Sequence, residues 1–488
     1  MTGPINTFPS RAREQAVLTP EQERYNKLCQ KYPHARAPFS RRPDLSRRRF
    51  FNIAGAGLVG SYLAGSAKQA KACTVQVSQP VTAHNTAKNV IFIMLAGAPS
   101  HTDTFDLKVL NGTTPAAFNP TTINGVNWPM GLMPKMGQQL GKMALVRSMS
   151  ATALVHSLSQ RWTQIGRNPS AALGNIAPNI GSVVALEKAG DRQPGQVFPT
   201  FLALNSAAAP GNGYFAATYA PFRVVPATTG INNTTNPLGQ PAFNELWSRL
   251  HQLDDPLRVN SPLGTDVDDY DEFYTAANQM MYNSVVTQAF SYTNADSQRY
   301  GNNTFGNACL VAKQVLAANQ GTRFIEITLG NWDMHIDIYG ISNPKGNNLF
   351  TLCPVLDNGV GALLNDLEAS NMLSSTLIVL VGEFGRTAGP ITPALGRDHL
   401  NQQTAIFIGG GVVGGTVIGS TNATGSDTAD FGWSRQRYVK PEDVEATIYS
   451  AVGINWTTVR CDDPFMRGFE YVPMSEENVY GPIDELWG

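Results

Sequence analysis

The stretch "TLIVLVGEFGRTAGPITPALGRDHLNQQTAIFIGGG", Thr376 to Gly411, decides how the chain is read. It opens as an apolar, β-branched run and breaks at Gly382-Glu383. A Gly/Pro-rich loop then presents Arg397-Asp398-His399 before a second apolar run returns. A run without polar alternation suits a strand buried on both faces, as in a parallel sheet covered by helices. Charged groups at the mouth of such a sheet are seldom there for packing, because ligands gather outside the carboxyl ends of parallel strands.

Similar runs recur outward from this stretch: "NVIFIMLAG" from Asn89, "KMALVRSMS" from Lys142 and "TRFIEITLG" from Thr322. Helix patterns lie between them, from Thr304, Leu352 and Lys440, the last with Pro441 at a first-turn position. Strands alternating with helices predict an α/β/α sandwich around a mainly parallel sheet. Asn89–Gly97, Thr322–Gly330 and Thr376–Gly382 are expected to be parallel neighbours. The segment at about 211–296, rich in Asn, Thr and Pro before "DEFYTAANQMMYNSVV", reads as an inserted loop and helical cap.

With 488 residues the chain can bury a large core. Its net charge of -1 and 15% charged residues leave no basic excess to attract nucleic acid, which disfavours that class of partner. The N-terminal region carries an address: "SRRRFF" (Ser46 to Phe51) precedes the short, Gly/Ala-rich run "NIAGAGLVGSYLAGSA" and then "KQAKAC". This pattern reads as a twin-arginine signal over residues 1–72, with small residues Ala70 and Ala72 suited to cleavage before Cys73, and a mature domain over 73–488. The expectation is a periplasmic or secreted protein without a transmembrane span in its mature chain. Read as a lipobox, "AKAC" would instead tether Cys73 to lipid, although Ala70 and Lys71 are poor matches. Cleavage would remove Cys29 and leave Cys73, Cys309, Cys353 and Cys461, whose pairing the spacing does not choose.

Polar clusters follow the strands. "APSHTDTFD" supplies His101 and Asp103, "NWDMH" supplies Asp333 and His335, and the opening stretch supplies Glu383, Arg386, Asp398 and His399. A mixed set of imidazoles and carboxylates points to one or two divalent ions (Zn, Mn or Ca). Arg386 is expected either to grip an anionic oxygen or to hold the loop by an ion pair. After "ALVRSM", the segment "HSLSQRWTQIGRNP" from His156 places Ser157 near a helix start, as a nucleophile or as a plain N-cap.

In order, "GAPSHTDTFDLK", "VRSM" with "HS", "WDMH", "DLEASNMLSSTLIVLVGEFGRT", "GRDH" and "GGGVVGGTVIGSTNATG" resemble the motifs of the domain of unknown function 1501 family. That family resembles the alkaline phosphatase and sulfatase superfamily. The resemblance implies an alkaline phosphatase-like sandwich with metals and a nucleophile at the strand ends. His156 or Ser157 falls at the nucleophile position, Asp333 and His335 at one metal site, and Asp398-His399 at the late ligand loop. Where the superfamily has Asp-His or Asp-Asn, this chain has Glu383-Phe384, and His101 or Asp103 would serve from a shifted position. The implied function is an exported hydrolase of phosphate or sulfate esters, with a small anionic ester as substrate. The alternative is a non-catalytic envelope or surface protein that keeps a degenerate fold.

Overall fold

The computed structural model describes residues 80–259, 261 and 266–488. The expected export signal, Cys29 and Cys73 lie outside the described residues. One eight-stranded sheet organises the rest. Its strands in chain order are β1 (Asn89–Leu95), β2 (Met143–Ser150), β3 (Phe201–Leu204), β4 (Phe222–Val224), β5 (Phe324–Leu329), β6 (Thr376–Val381), β7 (Gln402–Ile408) and β8 (Val417–Ile418). Across the sheet the order is β8-β2-β7-β6-β1-β5-β3-β4.

β5, β1 and β6 are parallel neighbours, in register at Val90 with Phe324 and at Asn89 with Thr376. β7 runs the other way, antiparallel to both β6 and β2. The apolar pattern carries no direction. The link from β6 to β7 contains no crossover helix, and a parallel return would need one.

The helices are α1 (His156–Ile165), α2 (Ile180–Glu187), α3 (Gly239–Arg258), α4 (Asp266–Met280), α5 (Thr304–Ala318), α6 (Leu349–Ala369) and α7 (Pro441–Ala451), besides shorter turns. Alternation along β1 divides the core in two. Ile91, Ile93 and Leu95 pack with Phe305 and Leu310 of α5 and Leu356 and Val360 of α6. Val90, Phe92 and Met94 pack on the opposite face with Val183 of α2 and Val444 and Ile448 of α7. Helices therefore cover both faces, as the sandwich expectation required.

Helix starts follow local chemistry. The Asn303 side chain accepts from Gly306 N–H, Asn348 forms a capping box with Thr351, and Pro441 occupies the first turn of α7. Within 211–296 lie α3, α4 and a short helix, Ser284–Phe290, whose Val286 and Phe290 join the α5 side of the core. No residue of α3 is buried. Cys309 and Cys353 are buried free thiols, whereas Cys461 is disulfide-bonded. No helix among the described residues is long and apolar enough to cross a membrane.

Because β5, β1 and β6 share a direction, their carboxyl ends emerge side by side. Gly97 just after β1 has φ +109°, and a Cβ there would lie 2.5 Å from the backbone nitrogen of Asp333. Only glycine lets the β1 and β5 exits approach so closely.

Candidate metal centre

Beyond β5 the chain turns at Asn331 (φ +71°) and leads through Trp332, Asp333, Met334 and His335. Trp332 and Met334 are buried, while Asp333 and His335, two residues apart, share the open side. Beyond β6, Gly385–Arg386 pairs antiparallel with His399–Leu400, setting His399 opposite Arg386. Gly396 passes so close to His335 that a Cβ would meet its carbonyl at 2.0 Å, which fixes the late loop against the β5 exit. His156 is the first residue of α1, reached from β2.

These segments bring together His156, Asp333, His335 and His399, with one ligand atom from each lying within 4.8 Å of the others. The group could hold a metal ion. Asp333 Oδ1 lies 3.3 Å from His156 Nε2 and 3.2 Å from His335 Nε2, and the His335 and His399 Nε2 atoms are 3.0 Å apart.

The outer nitrogens settle the tautomers. His156 Nδ1 lies 2.7 Å from Glu383 Oε1, His335 Nδ1 3.1 Å from Asp398 Oδ1 and His399 Nδ1 2.8 Å from the Leu154 carbonyl. Carboxylates and carbonyls only accept, so each Nδ1 carries a proton and each ring turns its Nε2 inward. Three imidazole Nε2 atoms and a carboxylate oxygen thus face one another; His335 Nε2 and Asp333 Oδ1 also lie against the Arg386 guanidinium, and the buried His156 Nε2 has no hydrogen-bond partner. Such a set calls for positive charge, part of which Arg386 supplies and the rest of which an ion or an added proton would supply. Imidazoles fixed through Nδ1 by outer acceptors are also the usual arrangement around a bound metal.

The outer residues are themselves tightly held. Glu383 is fully buried, and its Oε1 accepts from Gly97 N–H (2.8 Å) and Gln160 Nε2 (2.9 Å) as well as from His156. The hydrogen bond to Glu383 lifts the His156 pKa above its ordinary value despite burial. Burial pushes His399 down. For Asp333, burial acts upward, but the Arg386 hydrogen bond and neighbouring positive charge bring its carboxyl below the usual range.

Arg386 is fully buried and uses all five N–H groups. Nε donates to Ala98 O, Nη1 to Arg397 O and His335 Nε2, and Nη2 to Gly97 O and to Asp333 Oδ1 at 2.6 Å. It holds the site together and has no donor left for a bound anion.

The remaining candidates fall around this group. Glu383 and Asp398 stand behind histidines instead of facing the common point. His101 is buried with Nε2 2.7 Å from the Gly425 carbonyl, and burial lowers its pKa. Asp103 forms a buried ion pair with Arg397 at 2.6 Å and accepts from Tyr339, so its charge is already compensated. Ser157 is exposed on the first turn of α1, while Ser159 donates to the Glu383 carbonyl. Gln160 is an outer residue that the sequence patterns did not single out, and Arg397, named in the late loop, was given no role there. The only local signal for Arg397 was its place inside "GRDH".

The family described as "Protein of unknown function (DUF1501)" matches residues 87–463, and the chain belongs to that family. No curated protein matches the chain. Among solved structures it is similar to the lipoteichoic acid synthase LtaP from Listeria monocytogenes, at 13% identity over 83% of this chain and 81% of that one, with a TM-score of 0.35. It is also similar to the PsFucS1 sulfatase from Pseudoalteromonas sp. (13%, 75% and 68%, TM-score 0.37). A third similarity is to an alkaline phosphatase superfamily protein from Vibrio parahaemolyticus (12%, 79% and 71%, TM-score 0.34). Likeness of this degree carries nothing about the chemistry of the site, which rests on the side chains above.

Proposed function

We propose that this protein is an exported, metal-dependent hydrolase of phosphate or sulfate esters, with a Zn or Mn ion held by Asp333, His335, His399 and His156. The observation that carries the proposal is the convergence of three imidazole Nε2 atoms and one carboxylate oxygen at a mouth open to solvent. The Asp333 and His335 side chains are 48% and 40% exposed there. A bound divalent ion would supply Lewis-acid polarisation of an ester oxygen. Glu383 and Asp398 would keep His156 and His335 in the ligating tautomer, and Arg386 would aim Asp333. Export through the twin-arginine machinery is supported by "SRRRFF" and the short apolar run after it.

A second reading has its own observation. Arg386 already donates to Asp333 and His335, so its guanidinium meets part of the site's need for positive charge. This favours a non-catalytic envelope protein that retains the constellation. Metal analysis of protein purified from the periplasm, followed by aryl phosphate, phosphodiester and aryl sulfate substrates, separates the two. One ion per chain and turnover abolished by chelation and restored by metal are expected of the hydrolase. Metal-free protein inert after reconstitution would leave the second reading.

A further inference from the structure

We infer that the disulfide partner of Cys461 is Cys73. The sulfur that a lipobox would give to lipid is then spent fastening the start of the mature domain to the segment beyond α7. The bond is independent of the hydrolase reading. Two observations carry it.

The first is the set of thiols. The chain has five cysteines, of which Cys309 in α5 and Cys353 in α6 are buried and free, while Cys461 is disulfide-bonded. Cys29 and Cys73 alone are left to pair with it.

The second is where the chain enters the fold. The backbone N–H groups of Asn85 and Ala87 donate to the Ser450 and Ala451 carbonyls at the end of α7, at 2.9 and 2.8 Å. His84 N–H donates to Ser450 Oγ at 3.2 Å. Asn85 also lies against Gly453, where a Cβ would come within 2.4 Å of its Oδ1. The entering segment is thus fixed beside the end of α7, and Cys461 follows Gly453 by eight residues. Cys73 precedes His84 by eleven residues, a tether of at most ~38 Å, whereas Cys29 precedes it by 55. Closure entropy grows with the length of the tether, which favours Cys73 over Cys29. Cleavage before Cys73 would remove Cys29 from the choice altogether.

Closing the bond oxidises two thiols to one disulfide. One thiolate attacks an external disulfide, the second displaces the mixed disulfide so formed, and the external pair leaves as two thiols. The product persists in an oxidising compartment. A lipidated cysteine holds its sulfur in a thioether, so the two fates exclude each other at Cys73.

The test is peptide mapping of the full chain, purified without reductant, equilibrated with oxidised glutathione, alkylated under denaturing, non-reducing conditions and cut with trypsin. Peptide 461–467 should be linked to the peptide that begins at 72 or 73 and ends at 88, and reduction should release both. Cys309 and Cys353 should carry the alkyl label before reduction. The variant Cys73→Ser should leave Cys461 outside any linked pair, and Cys29→Ser should leave the linked pair unchanged. Mapping the parent chain needs neither variant, so a variant that fails to fold leaves the test intact. An alkylated Cys461 in the parent, its linkage to peptide 28–31, or a diacylglycerol thioether on Cys73 in protein recovered from cells would overturn the proposal.

Discussion

Glu383 is the residue on which the rest of the site depends. One carboxylate oxygen receives three donors, from Gly97, His156 and Gln160, and the other has no partner although the side chain is fully buried. Neutralising it as Glu383→Gln keeps the shape but weakens the acceptor that fixes the His156 proton on Nδ1. Metal affinity, measured by competition with a chromophoric chelator, should fall by about 10- to 100-fold. Unchanged affinity would reduce Glu383 to a structural acceptor for Gly97. A second residue-scale prediction concerns Arg397. It is 2% exposed, ion-paired with Asp103, and donates to the Thr387 and Gly389 carbonyls of the loop that carries His399. Asp103→Ala would strand this buried charge, a loss of about 3–5 kcal/mol. Urea unfolding measures it, and a loss under 1 kcal/mol would show that the loop carbonyls alone suffice.

The elements show a link between β5 and α2 that is separate from the chemistry. Glu326 sits mid-strand in β5, beside Phe92 and Ala203, and is wholly buried. Its Oε2 accepts from Asn179 Nδ2 at 2.8 Å, while Asn179 Oδ1 caps α2 through Gly181 N–H. Burial raises the Glu326 pKa to about 7, with the Asn179 hydrogen bond acting in the opposite direction. The folded protein therefore keeps a proton that the unfolded chain has released. This stabilisation is complete below the ordinary glutamate range and is lost as pH rises toward about 7, with a slope of up to about 1.4 kcal/mol per pH unit. Glu326→Gln should flatten that part of the stability profile, read from urea midpoints between pH 5 and 8. Parallel profiles would show that other groups set the slope. The strands themselves were legible, because β1, β5 and β6 are doubly buried apolar runs ending on glycine or polar residues, and the ligand-bearing segments follow those ends. The direction of β7 was not, since periodicity is blind to direction. α3 was hidden by the surrounding Asn/Pro composition, with Pro256 inside the helix. The outer roles of Glu383, Asp398 and Arg397 were illegible for another reason: sequence patterns indicate donor types, not which side of an imidazole a carboxylate will approach.

At the scale of the molecule, the proposed export signal and the proposed metal set make separate demands. Replacing Arg47 and Arg48 by Lys should hold the precursor in the cytoplasm, because the paired arginines are what the export receptor reads. Undiminished periplasmic yield in cell fractionation would remove the assignment. The metal set makes a prediction about folding itself. Its donors come from the start of α1, the exit of β5 and the loop between β6 and β7, segments far apart in the chain that meet only when the sheet is assembled. An unfolded chain offers no such constellation, so an ion bound here binds the native state in strong preference and stabilises it by mass action. At a free Zn concentration 100 times Kd the gain should be about 2.7 kcal/mol, rising with the logarithm of concentration. Thermal melts of chelated and Zn-reloaded protein should therefore differ, and Tm should climb steadily with added ion. His399→Ala removes one ligand from the late loop and leaves the β5 segment intact, so its Zn-dependent rise should shrink toward zero while its metal-free melt stays near that of the parent. If parent and variant respond to Zn alike, the stabilising ion is bound elsewhere on the protein, and these four side chains are held by Arg386, Glu383, Asp398 and the Leu154 carbonyl without an ion.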